Sequence, residues 1–330
     1  MTLGAGAGFV ATSGVPQRLV FLLLGGLVLL GIGLIDDHPN KSMSPYTRLV
    51  FQLVVASVGW MAGFRADTPG VFGGIGTILF LVAAMNAFNL LDNMDGVAGS
   101  TAFAASAGIA VIAIMGGQTQ VAALSAAVAG ACLGFLFFNF RRAKVYMGNG
   151  GSLFLGFLIG GAALKLRPDL PTGWGEMAIV LLLAVPAADT SVVILSRLLF
   201  GRKVFQGGTD HISHRLVRLG MRSWQAALIH GGAMAMAAAS VATAIATGRR
   251  ELMLAAAASI VLASVFLLTV RVYQVGGRTL PARRIMVAAG AVAGGAILLA
   301  APSALSARGD LINARVEIRS GKAALSTFEI

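Results

Sequence analysis

Residues 78–96 read ILFLVAAMNAFNLLDNMDG: an apolar run closed by Asn86, Asn89, Asp92 and Asp95, each three positions after the last. With the residues just before it, the run is long enough to cross a bilayer as a helix. Amides and carboxylates in or beside hydrocarbon are costly unless a partner or a cation compensates, so they mark a site. At this spacing an unbroken α-helix turns the side chains by about 60° per step and fans them over half its circumference. To face one ligand, the helix must tighten toward 3₁₀ geometry or break near Asp92. Gly96 and Gly99 fit such an interruption, with Asn86 and Asn89 shaping a wall and Asp92 and Asp95 facing a cation or phosphates.

The rest of the chain shares this character. Its 330 residues contain 12% charged residues, and the mean hydropathy is +0.84. That composition fits a polytopic membrane protein better than one or two water-soluble domains. Apolar runs at about 18–35, 48–64, 71–91, 97–115, 121–140, 150–165, 177–196, 224–246, 252–270 and 285–304 give some ten transmembrane helices. Helices are the expected form because lipid offers backbone groups no hydrogen-bond partners, so the fold class is an all-α integral membrane bundle. The domain reading is a Gly/Ala-rich segment 1–17, a membrane domain 18–304 and a tail 305–330. No positive charge precedes Arg18, which argues against a cleaved secretory signal. The single cysteine, Cys132, excludes an intrachain disulfide and any multi-cysteine metal site.

The net charge of +12 would point to nucleic acid in a soluble protein. Here Lys and Arg lie between apolar runs, so they read as topology determinants and contacts for anionic lipid or substrate, with no nucleic-acid partner. If the segment after Ile35 is inside, the inside segments 36–47, 92–96, 141–149, 197–223 and 271–284, with Arg48 at the edge, hold fifteen of the 25 Lys and Arg. The positive-inside rule supports that orientation. Every polar cluster then falls on one side.

The first apolar run ends in Gly33-Leu-Ile-Asp36-Asp37, and the second opens with Arg48 and Gln52, four apart on one helix face. Adjacent carboxylates suit Mg²⁺, which takes a few hard oxygens with water and phosphate; a solvated turn before His38 and Pro39 is the plainer reading. Met147-Gly148-Asn149-Gly150-Gly151-Ser152 opens the sixth run. Glycines ahead of a helix N-terminus bare N–H groups that suit phosphate, and Asn149 can ligate a cation or merely cap the helix. The loop Arg197 to Arg222 carries Asp210, His211, His214 and Arg215, whose imidazole and guanidinium groups can bind a diphosphate or sugar; a solvated basic loop is the alternative. Asp189 lies about eight residues, roughly 12 Å, inside the seventh run. It pairs with an Arg or polar backbone, or lines the same cavity.

Taken together, Gly33–Asp37 with Arg48 and Gln52, Asn86–Gly96, Gly148–Gly156, Asp189 after Pro186, and Asp210–Leu216 resemble the polyprenyl-phosphate N-acetylhexosamine-1-phosphate transferases. That group includes the undecaprenyl-phosphate GlcNAc-1-phosphate and phospho-MurNAc-pentapeptide enzymes. The resemblance implies Mg²⁺-dependent transfer of a sugar 1-phosphate, GlcNAc being the generic sugar, from a UDP-sugar to polyprenyl phosphate with release of UMP. This is the first membrane step of cell-envelope glycan assembly, in a multi-pass protein of the inner (plasma) membrane whose site faces the cytoplasm; a homodimer is left open. It implies catalytic roles for Asp36, Asp37, Asp92 and Asp95, with the metal at Asp92 and Asn149. It implies substrate contacts for Arg48, Asn86, Asn89, Ser152, Asp189, His211, His214 and Arg215. Three positions depart from the family pattern. Asn149 stands where the family's Gly-Asp-x-Gly-Ser block has a ligating aspartate, Asn93 replaces a glycine between the two aspartates, and 35 residues precede Asp36 where relatives carry an earlier helical segment. A non-catalytic relative that binds polyprenyl phosphate or a UDP-sugar, and a secondary transporter with acids near mid-membrane, are the competing readings.

Overall fold

The computed structural model describes residues 17–39, 43–64, 70–166, 174–204 and 207–269. Eleven helices account for the folded part of these residues: α1 (Gln17–Asp36), α2 (Pro45–Met61), α3 (Gly70–Leu91), α4 (Val97–Met115), α5 (Thr119–Asn139), α6 (Gly148–Lys165), α7 (Trp174–Leu181), α8 (Ala184–Leu199), α9 (Ile212–Arg218), α10 (Ser223–Thr247) and α11 (Glu251–Thr269). The chain is thus an all-helical membrane bundle. Nine of the ten apolar runs correspond to these helices; the tenth, 285–304, lies outside the described residues, as do the segment 271–284, the tail and residues 1–16.

Among the described residues, which leave out the run 285–304, the helices that are full spans by length and apolarity are fewer than these runs. Five helices are long and apolar enough to cross a bilayer: Gly73–Leu91, Val97–Met115, Thr119–Asn139, Ser223–Thr247 and Glu251–Leu268. A sixth is completed if α7 and α8, bent by 71°, count as one broken span. The run 177–196 was expected to be continuous. Pro186 interrupts it, because its ring has no N–H and crowds the carbonyl four residues back, at Leu182. The chain turns there and restarts, with Ala187 N–H donating to Leu183 O at 3.1 Å. Asp189 therefore sits in the second turn of a new helix rather than deep in a straight one.

Helix α6 is the axis of the N-terminal half. Nearly every residue from Gly150 to Leu164 is buried, between α1 on one side and α3 on the other. Small residues set this packing. A Cβ on Gly33 of α1 would lie 2.2 Å from the Cα and N of Gly150, so the two backbones touch. That contact brings the end of α1, with its aspartates, onto the start of α6. Helices α4, α5 and α10 pack together as the second half, with Ser100 Oγ donating to Ala227 O at 2.8 Å.

The break foreseen after Leu91 is present. Helix α3 ends at Leu91, residues 92–96 turn, and α4 begins at Val97. Gly96 closes the turn at φ +77°, a left-handed conformation that other residues adopt at a cost.

Candidate active site

Four chain segments meet at one end of the bundle: the end of α1, the α3–α4 turn, the α5–α6 loop and the stretch ahead of α9. Direct hydrogen bonds join them. Asp36, 8% exposed, takes an ion pair from Arg48 Nη1 at 3.1 Å, the backbone N–H of Met43 at 2.6 Å and Asn149 Nδ2 at 2.9 Å. Asp37 accepts the N–H groups of Asn149 and Gly150 at 3.1 and 3.4 Å, capping α6. A Cβ on Gly148, itself at φ +66°, would stand 2.4 Å from Asp37 Oδ2. The glycines ahead of α6 were expected to offer bare amides to phosphate. The Asp37 carboxylate occupies those at Asn149 and Gly150 instead, as a negative group at a helix N-terminus should.

Asn149 bridges the two halves of the site. Its Nδ2 donates to Asp36, and its Oδ1 accepts from Asn89 Nδ2 at 2.8 Å. Both ends of the amide are thus engaged within the protein, while Oδ1 keeps a second lone pair with which it can still ligate a cation. Asn89 also donates to Ser152 Oγ at 2.9 Å. Ser152 is wholly buried and returns its hydroxyl proton to Gly148 O at 2.7 Å; it supports the turn and does not face a substrate. Asn86 pairs with Gln52 of α2, Nδ2 to Oε1 at 2.5 Å. Arg48 and Gln52 thus share a face but serve different partners, Asp36 and Asn86.

The α3–α4 turn carries the charge. Burial, then the nearby Asp37 and Asp95 carboxylates, push the Asp92 carboxyl up to about 6, against the pull of the Gly148 backbone N–H. Asp95 accepts Ala143 N–H at 3.1 Å, tying the turn to the α5–α6 loop. Asn139, which the sequence did not single out, and Asn93, noted there only as a departure from the family pattern, complete the join. Asn139 accepts Gly96 N–H and donates to Val145 O, both at 2.8 Å. Asn93 donates to Leu90 O at 2.9 Å and accepts from Ser213 Oγ at 2.5 Å. A polar residue ending an apolar helix was the available signal for Asn139.

Around α9 the picture differs from expectation. Arg215 is fully buried and donates to Asp210 O at 2.9 Å, Leu267 O at 3.1 Å and Ser196 Oγ at 3.0 Å. It was expected to bind substrate; it fastens the loop to α8 and α11. Asp210 pairs with Arg197 and Arg202. Asp189 is also wholly buried, with one oxygen on His211 Nδ1 and the other on Ile212 N–H. It reaches the site only through His211. His214 stands beside it, ring centroids 6.2 Å apart. Burial, then His211 and Arg218, hold the His214 imidazole below its ordinary value.

Of the expected residues, Asp36, Asp37, Arg48, Asn89, Asn149 and Ser152 form one connected group with Asp92 and Asp95 beside it, while Asn86 pairs separately with Gln52. His211 and His214 form a second, joined to the first by Asn93 and Ser213. Among the described residues, no three His, Cys, Asp or Glu side chains make a ready metal cage. Asp36, Asp37, Asp92 and Asp95 lie at helix ends or in the turn after one, not at mid-span, which counts against the transporter reading.

Residues 19–167 match the model of glycosyl transferase family 4. The chain is 31% identical over 240 residues to the probable undecaprenyl-phosphate N-acetylglucosaminyl 1-phosphate transferase of Bacillus subtilis (strain 168), covering 69% of this chain and 66% of that protein. It is 30% identical to the decaprenyl-phosphate N-acetylglucosaminephosphotransferase of Mycolicibacterium smegmatis, covering 67% and 61%. It is 29% identical to the undecaprenyl-phosphate alpha-N-acetylglucosaminyl 1-phosphate transferase of Escherichia coli (strain K12), covering 64% and 61%. The chain spans slightly under two thirds of the length of these relatives.

Proposed function

This chain belongs to glycosyl transferase family 4, and from that premise we propose that it transfers N-acetylglucosamine 1-phosphate from a UDP-sugar to a polyprenyl phosphate. The products are a polyprenyl diphospho-sugar and UMP, and the step opens cell-envelope glycan assembly. One observation carries the reading: Asp36 and Asp37 from α1 and the Asp92–Asp95 turn converge on the start of α6. The names of the relatives support the substrates. The basic segments around the site support a plasma-membrane protein whose site faces the cytoplasm.

In the reaction a phosphate oxygen of the lipid attacks the phosphorus that bears the sugar. A new P–O bond forms, the bond to UMP breaks, and UMP leaves with the electron pair. Both partners are anions, so their approach needs positive charge. Mg²⁺ would supply it as a Lewis acid on the phosphate oxygens. The residues fit a hard cation: Asp92 is a desolvated carboxylate whose charge Asp37 and Asp95 make worse, and all three offer oxygen. Phosphate oxygens and water would complete a shell that the protein alone does not provide. Asp92 would be the main ligand, with Asp37 or Asp95 beside it. Of the α1 pair, Asp37 is the exposed member. Asp36 holds Arg48, whose side chain is 26% exposed, ready for the lipid phosphate. That phosphate is largely ionised already (second pKa about 6), so these groups position it and need not deprotonate it.

The test is direct. Protein in membranes, labelled UDP-GlcNAc and polyprenyl phosphate should give labelled lipid and UMP with Mg²⁺ and neither with chelator. The neutral Asn149 favours a second reading, a non-catalytic relative, which would bind polyprenyl phosphate or the UDP-sugar and yield no labelled lipid.

A further inference from the structure

The pair Asp189–His211 has a geometry that the transfer reaction does not require by itself. Asp189 lies three residues after Pro186, in the part of α8 that restarts beyond the bend. Its side chain is wholly buried. One oxygen is 2.7 Å from His211 Nδ1 and the other accepts Ile212 N–H, also at 2.7 Å. Two contacts on opposite oxygens fix the plane of the carboxylate. The backbone contact also pins the chain next to the histidine, at the N-terminus of α9.

We propose that Asp189 is a positioning residue that keeps the His211 proton on Nδ1 and so leaves Nε2 as the nitrogen that meets the sugar nucleotide. An ionised carboxylate can only accept, so a ring turned the other way would set a nitrogen lone pair against it. The same logic governs a buried aspartate behind a catalytic imidazole, where replacement by asparagine keeps the geometry and selects the wrong tautomer. Asparagine at 189 can offer its own N–H to Nδ1, which moves the ring proton to Nε2 and removes the acceptor there. His211 is only 4% exposed, so its ring has little freedom to compensate by turning. The more open His214 is its neighbour, and Ser213 anchors the same stretch to Asn93 of the α3–α4 turn. The histidine thus keeps a set orientation relative to the acidic site.

This inference rests on the proposed transfer for its kinetic part alone. The chain has four histidines, so protein labelled with ¹⁵N-histidine, in nanodiscs and without substrate, gives a countable set of ring signals. The His211 signal is assigned by its loss in His211→Gln. The wild type should show the Nδ1–H form at His211, and Asp189→Asn should show Nε2–H. With UDP-GlcNAc and polyprenyl phosphate, Asp189→Asn should lower kcat/KM by about 10–100-fold, the usual cost of losing a group that orients a ligand. The double variant Asp189→Asn with His211→Gln should be no slower than His211→Gln alone, because the first change acts through the second residue. A wild-type His211 in the Nε2–H form overturns the proposal, and it does so even if Asp189→Asn fails to fold. So does a tautomer that Asp189→Asn leaves unchanged, or losses that simply multiply. If no labelled lipid forms with any protein, the transfer reading fails while the tautomer measurement still decides this one.

Discussion

Replacing Asp92 with asparagine should make the metal-free protein more stable while it abolishes transfer. The Asp92 carboxyl, ordinarily near 3.8, is pushed up to about 6. At about 1.4 kcal/mol per tenfold, that shift means keeping Asp92 ionised at neutral pH costs the fold on the order of 3 kcal/mol. The sign follows from proton counting. Between 3.8 and about 6 the native state holds a proton that the unfolded chain has released, so stability falls as pH rises through that window and the full cost is present above it. Asparagine removes the charge but keeps an oxygen for the Gly148 N–H. In chelator at pH 8 the variant should therefore melt higher than wild type, by on the order of 5 °C if each kcal/mol is worth about 2 °C in a chain this size. At pH 4 the two should coincide. Adding Mg²⁺ should raise the wild type and leave the variant in place, since only a carboxylate rewards the ion. Intrinsic tryptophan fluorescence on heating reads all three conditions, and the labelled-lipid assay reads the loss of turnover. A variant that melts lower than wild type in chelator at pH 8, or that still turns over, would refute the reasoning about Asp92.

Three further outcomes follow from the contacts described. Asn149→Asp removes the amide donor that sits 2.9 Å from Asp36 and faces it with a like charge; losing a bond to a carboxylate alone costs about 1.5–3 kcal/mol. The variant should be less stable than wild type at pH 8 in chelator and should recover as pH falls and one carboxyl takes a proton, which thermal unfolding against pH would show. Arg215→Lys should lower stability by about 3 kcal/mol or more, because one ammonium nitrogen cannot reach the three spread acceptors that three guanidinium nitrogens serve in this buried setting; a change in the KM for UDP-sugar with unchanged melting would contradict it. Gly33→Ala puts a methyl against the Gly150 backbone and should cost about 1–3 kcal/mol by overpacking, with lower folded yield and turnover, as size-exclusion profiles and the transfer assay would record.

The helices were legible in the chain because hydrophobicity is local. The runs read as 97–115, 224–246 and 252–270 fold as Val97–Met115, Ser223–Thr247 and Glu251–Thr269. The break after Leu91 was legible too, since four polar residues at a three-residue spacing cannot face one ligand from an intact helix. Pro186 was equally visible, yet its effect depends on whether neighbouring helices hold the span straight, and here α7 and α8 bend apart.

The acids of the candidate site could be named from their expense in hydrocarbon, a property each residue carries alone. Which group meets which could not. Asp37 on the α6 amides, Asn149 between Asp36 and Asn89, Arg215 closed within the bundle and Asp189 behind His211 all depend on the distance between segments far apart in the chain. Those distances come from backbone contact between helices, at Gly33 and Gly150 above all. A polar side chain near two partners takes the one that packing brings within 3 Å, and no pattern of neighbours along the chain contains that distance.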